Sequence, residues 1–217
     1  MITFGLIPTQ SQPAVANTQA VTTQATAGTG ACQIEVNNNS GIDVTQVGNE
    51  CIIEFKQTGI DYEWTVPSNL TEAWVLVVGG GGGGGCLGGG GGGGYIEYDA
   101  NNKWTLPTTT DGKLSVRVGA GGLGGDAASN IDQMRGSSSF IGDNLVEYSN
   151  DTNAVSTPAD LSFIQSLGGG GGACVNTSRG SKVGSRGASG GGSAAGQGRS
   201  VSVSSAVYDD SDPVTKG

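Results

Sequence analysis

Apolar and polar residues alternate in short stretches along this chain, and turn residues bound each stretch. Cys32, Ile34 and Val36 alternate with Gln33 and Glu35. Cys51, Ile53 and Phe55 alternate with Ile52 and Glu54, and Tyr62, Trp64 and Val66 with Glu63 and Thr65. Leu114, Val116 and Val118 alternate with Lys113, Ser115 and Arg117. A period of two is the mark of a half-buried strand. Between these stretches, residues 37–41 and 57–59 supply Asn, Ser, Thr and Gly for turns. Trp74-Val75-Leu76-Val77-Val78 and Tyr95-Ile96-Glu97-Tyr98 are rich in β-branched and aromatic residues and also read as strands. Residues 160–167 fit a short helix or a strand, and 200–207 a last strand. No stretch approaches the ~20 apolar residues of a membrane helix.

Glycine interrupts this pattern. Two runs of seven glycines, 79–85 and 88–94, are separated only by Cys86 and Leu87. Further glycine-rich segments cover 119–125, 168–172 and 187–198. One ordered form open to such segments is the left-handed extended helix, with three residues per turn, ~3.1 Å rise and no internal hydrogen bonds. Its amide groups must then bond neighbouring segments. Flexible linkers are the alternative. The strands that abut the runs, and the cysteines placed within 79–94 and just after 168–172, favour ordered rods.

Composition narrows the function. Glycine makes up 42 of 217 residues, about a fifth, against an ordinary ~7%. Only 35% of residues are hydrophobic, so backbone hydrogen bonds and disulfides must supplement the core. There is no histidine, which removes the commonest general base and the commonest metal ligand. The net charge of −9 disfavours nucleic acid and anionic lipid as partners. Residues 1–34 carry no charged side chain. Ala14-Val15-Ala16 fits a signal-peptide cleavage pattern, but no basic region precedes it and the apolar run over residues 2–7 is short.

The four cysteines allow three pairings. The pairing Cys32–Cys51 with Cys86–Cys174 joins like to like. It implies an oxidising, extracellular or cell-surface setting. Four free thiols in an intracellular or virion protein is the other reading.

Motifs that carry chemistry elsewhere are weak here. Gly119-Ala120-Gly121-Gly122-Leu123-Gly124 matches a dinucleotide fingerprint, but residues 126–135 offer few apolar positions for the required helix. Residues 79–85 lack the Lys-Ser/Thr ending of a phosphate loop. Ser181-Lys182 are adjacent, which gives no nucleophile–base geometry. Asp209, Asp210 and Asp212 read as a solvated acidic tail rather than a calcium site. Asn38, Asn69, Asn150 and Asn176 begin glycosylation sequons at near-chance frequency. Trp64 and Trp74 fit a core by alternation. Tyr98 and Trp104 are the candidates for exposed surface contact.

The order Trp64-Thr65-Val66-Pro67, Leu70-Thr71, Trp74 to Val78 into glycines, Tyr95, Leu114-Ser115-Val116-Arg117-Val118-Gly119, Gly136-Ser137-Ser138-Ser139-Phe140 and then glycines 168–172 resembles the glycine-rich domain of phage tail fibres and bacterial surface proteins. The resemblance covers about residues 62–200. It implies a β-plus-polyglycine module displayed on a fibre or surface, without catalytic activity. The cysteines within the glycine blocks depart from that pattern.

These readings predict a mostly β fold, a small antiparallel sheet or sandwich combined with a bundle of extended polyglycine-II-like segments. The expected divisions are an uncharged lead and donor strand (1–30), a small β-unit (31–67), a glycine-rich β/polyglycine domain (68–207) and an acidic tail (208–217). The expected function is that of a non-enzymatic subunit of an extracellular or cell-surface filament, self-associating by strand addition, with no catalytic, metal or cofactor site. A trimeric phage tail-fibre adhesin that binds a surface glycan or receptor is the alternative.

Overall fold

The computed structural model describes residues 1–6, 25–29, 32–85, 88–125, 134–143, 162–173, 187–188 and 215–216. In chain order the strands are β1 (Ile2–Leu6), β2 (Ala25–Thr29), β3 (Cys32–Val36), β4 (Ile42–Val47), β5 (Glu50–Phe55), β6 (Asp61–Thr65), β7 (Glu72–Val78), β8 (Tyr95–Tyr98), β9 (Trp104–Thr105), β10 (Lys113–Arg117), β11 (Ser139–Gly142), β12 (Phe163–Ser166) and β13 (Thr215–Lys216). They form two antiparallel sheets. The first runs β13-β8-β7-β1-β5-β4, with β9 also paired to β7; the second runs β12-β11-β10-β6-β3-β2.

The period-two stretches form strands because alternate residues are buried between the sheets. Ile53, Phe55, Val75 and Val77 of the first sheet meet Ile34, Val36, Tyr62, Trp64, Leu114 and Val116 of the second in one buried cluster. Phe55 and Tyr62 meet edge to face across the interior, ring centroids 5.0 Å apart. Outward positions of the second sheet carry ion pairs: Arg117 binds Asp61 through two hydrogen bonds of 2.6 and 2.9 Å, and Lys113 reaches Glu63. The strands of the 31–67 segment are divided between the two sheets. β4 and β5 lie in the first sheet and β3 and β6 in the second, and β5 and β6 each pair with strands from outside the segment. Residues 163–166 of the undecided stretch are a strand.

Glycine rods continue the strands. Residues 79–85 extend β7, 119–125 follow β10, and 167–173 extend β12; residues 88–94 lead into β8, and 134–138 into β11. Hydrogen bonds join these rods at every third residue. Gly79, Gly82 and Gly85 donate to the carbonyls of Gly94, Gly91 and Gly88. Gly80 and Gly83 donate to Ser137 and Met134. Gly122 and Gly125 donate to Gly81 and Gly84, and Gly169 and Gly172 to Gly80 and Gly83. The 79–85 rod is central, bonded to four others.

The rods also explain the glycines. A Cβ on Gly79, Gly80, Gly82, Gly83 or Gly85 would lie inside contact distance of a carbonyl oxygen on a neighbouring rod. On Gly81 and Gly84 the nearest atom would be 4.0 and 3.9 Å away. Sandwiched sheets normally lie ~10 Å apart, a spacing set by side chains. Without side chains the continuations of both sheets close to hydrogen-bonding distance. Ser139 sits at this narrowing, fully buried. Its hydroxyl donates to the Val78 carbonyl at 2.6 Å and accepts from the Gly119 amide at 2.9 Å, so it ties the first sheet to the second.

Candidate functional site

The feature with the clearest bearing on function is the slot that β1 fills. β1 pairs antiparallel with β5 on one side and with β7 on the other. Ile2 lies opposite both Phe55 and Val77 and is fully buried. Among the described residues, β5 pairs in the first sheet only with β1 and β4, while β7 pairs with β1, β8 and β9. Among the described residues β1 is therefore the sole ladder between the β4–β5 hairpin and the rest of its sheet. Residues 7–24 separate β1 from β2. An 18-residue connection of this kind reaches up to about 60 Å when extended.

The chain enters and leaves the β4–β5 hairpin at one end. Residues 37–41 link β3 to β4, and 56–60 link β5 to β6. At that end the Tyr62 hydroxyl donates to the Ser40 carbonyl at 2.6 Å. Burial pushes the Tyr62 phenol above its ordinary range, which keeps the donor protonated. At the other end the hairpin turns at 48–49. There Cys51 is bonded to Cys32 of β3, with a Cα–Cα distance of 5.6 Å. The disulfide spans the two sheets, and Cys51 lies opposite Leu6, the last residue of β1. The glycine rods close the sandwich at one end, and this bridge closes it at the other.

Not every candidate residue falls where the sequence suggested. Cys32 and Cys51 are joined as expected, although β3 and β5 lie in different sheets and form no hairpin. Cys86 and Cys174 lie outside the described residues. Trp104, expected at the surface, is 1% exposed. It forms β9 beside Ala73 of β7 and belongs to the core. A two-residue strand leaves no alternation to read. Tyr98 is half-buried and packs against the same core from β8. Trp64 is fully buried. Trp74 is half-buried on the face of β7 opposite Ala73, Val75 and Val77, so the core alternation of that strand excludes it. Trp104 thus contributes to the interior, whereas Tyr98 keeps part of its surface exposed.

Sequence reasoning also missed two structural parts. The 134–138 rod carries one glycine, Gly136, at its tight position. Ser139 has only its place between Gly136-Ser137-Ser138 and Phe140 as a signal. Among the described residues no group of His, Cys, Asp or Glu is placed to hold a metal ion, and no helix is long and apolar enough to cross a membrane.

An antiparallel β-sandwich whose strands run on into hydrogen-bonded glycine rods defines a glycine-rich β module. The sequence model of the glycine-rich domain family matches residues 57–211, and the chain belongs to that family. No curated protein and no solved structure matches the chain.

Proposed function

We propose that this protein is a non-enzymatic structural subunit that assembles head to tail by strand addition, forming an extracellular or cell-surface filament. The single observation that carries the reading is the placement of β1. It is an interior strand, paired on both edges, yet it is tethered to the fold by a long connection. A strand so held can enter the same slot of a neighbouring copy with the same ladders, the peptide-recognition mode of strand addition. Because each copy gives one β1 and takes one, the contact is heterologous and propagates. The Cys32–Cys51 bridge is in keeping with an oxidising compartment. The adhesin alternative, in which loops between the glycine rods touch a surface receptor, loses Trp104 as a contact residue because its side chain is buried, while Tyr98 is half-buried.

Negative-stain electron microscopy of the native material tests the reading, followed by removal of residues 1–24. Regular filaments that disappear on truncation are expected. Discrete particles, or filaments unchanged by the truncation, would refute strand addition.

A further inference from the structure

We infer that the Cys32–Cys51 disulfide serves assembly: it holds the β4–β5 side of the slot in place while the slot is empty and waiting for the β1 of a second copy. This rests on the strand-addition reading. When β1 leaves, no backbone ladder among the described residues remains between β5 and β7. The β4–β5 hairpin is then a flap hinged at one end. Its chain connections, 37–41 and 56–60, and the Tyr62–Ser40 hydrogen bond all lie at that hinge, beside the glycine rods. At the free end, near the 48–49 turn, Cys51 is covalently tied to β3 of the facing sheet. Both half-cystines are buried, Cys32 at 3% and Cys51 at 7% exposure. The bridge sits where Leu6 ends β1 and so fixes the far mouth of the slot.

The chemistry of the occupant is set by the slot. Both walls offer free amide and carbonyl groups once β1 is gone, and the inward position beside Phe55 and Val77 is apolar. An uncharged extended segment with alternate apolar residues fits, and residues 2–6 of a second copy supply one.

The test uses the full chain carrying Ile2→Lys, which places a charge at a fully buried position and empties the slot. Binding of a fluorescent peptide of residues 1–12 is measured by anisotropy, with and without the added pair Cys32→Ser and Cys51→Ser. Amide hydrogen exchange is followed in parallel. The expected result is binding with the bridge intact and binding weakened by roughly tenfold or more without it, with loss of protection confined to β4 and β5 and the glycine rods still protected. Equal binding in both chains would overturn the inference and leave strand addition standing. Loss of protection throughout the bridge-less chain would also overturn it, because the bridge would then be a general staple. No binding in either chain would refute strand addition itself, and the inference with it.

Discussion

Alanine placed along the 79–85 rod should act with a period of three. At Gly82 the new Cβ would lie inside contact distance of the Gly170 carbonyl oxygen, and at Gly83 of the Leu123 oxygen. Relief requires the rods to part by ~1 Å or more, since non-bonded carbon atoms settle at about 3.5–4 Å. At Gly82 that movement strains Gly82–Gly91 and Gly91–Gly170, bonds of 2.8 and 2.7 Å, and Gly169–Gly80 at 2.8 Å. A buried amide left unpaired costs about 1–3 kcal/mol, so two or three weakened bonds cost about 3–6 kcal/mol. Whole-domain stability is ordinarily about 5–15 kcal/mol, so the loss is a large share of it. Gly81→Ala and Gly84→Ala meet nothing closer than 3.9 Å, and neither position has a positive φ. There alanine restricts the unfolded chain and stabilises by about 0.4–1 kcal/mol. Urea unfolding reads the contrast. With a slope near 2 kcal/mol per molar, the midpoints of Gly81→Ala and Gly82→Ala should differ by about 2–3.5 M. Equal midpoints for the four variants would show that the rods are not close-packed, and the reasoning would fail.

Other changes give equally specific outcomes. Ser139→Ala leaves the Val78 carbonyl and Gly119 amide without their shared partner; a loss of about 2–4 kcal/mol is expected in the same urea assay, and a loss below about 1 kcal/mol would count against its role. Trp104→Ala should cost about 3–5 kcal/mol by thermal or urea unfolding, because the indole is in the core. Asp61 titrates below the ordinary carboxylate value of 3.8, chiefly through its hydrogen bonds to Arg117. Its contribution is therefore present above that value and fades as pH falls further; Arg117→Gln should remove this acid dependence while changing neutral-pH stability by under about 1 kcal/mol, since the pair is half-exposed. Gly88, two residues after Cys86, donates to the carbonyl of Ala173, the residue before Cys174, at 3.1 Å; non-reducing peptide mapping should recover those two cysteines in one linked peptide, and two alkylated peptides would contradict the pairing.

The strands legible in the sequence were those with three alternating apolar positions, together with β7 and β8, which their β-branched and aromatic residues marked. β3, β5, β6 and β10 each bury their period-two residues, and burial between two sheets is what creates that period. The rods were legible for a related reason: contact between backbones excludes every side chain but hydrogen at the tight positions, so glycine is written into the sequence. Shorter elements left no such trace. β9 has two residues, and all four residues of β11 are buried, which erases alternation. The slot was not legible either. Residues 2–6 are uncharged, with apolar Ile2, Phe4 and Leu6 at alternate positions, but no local pattern records that β5 and β7 lie on either side of them. That relation comes from the crossing of the chain between sheets, a property of topology alone.

The two ends of this molecule are stabilised by different forces, and these respond differently to temperature. The sandwich buries apolar side chains, whose hydration gives unfolding a positive heat-capacity change and weakens the core on cooling. The rods bury amides and α-carbons, and newly exposed polar surface lowers the heat capacity. Glycine therefore contributes length and contact to this protein while adding little curvature to its stability against temperature. Such a fold should hold its glycine end together in the cold, where a body of the same size built on leucine and valine would begin to loosen.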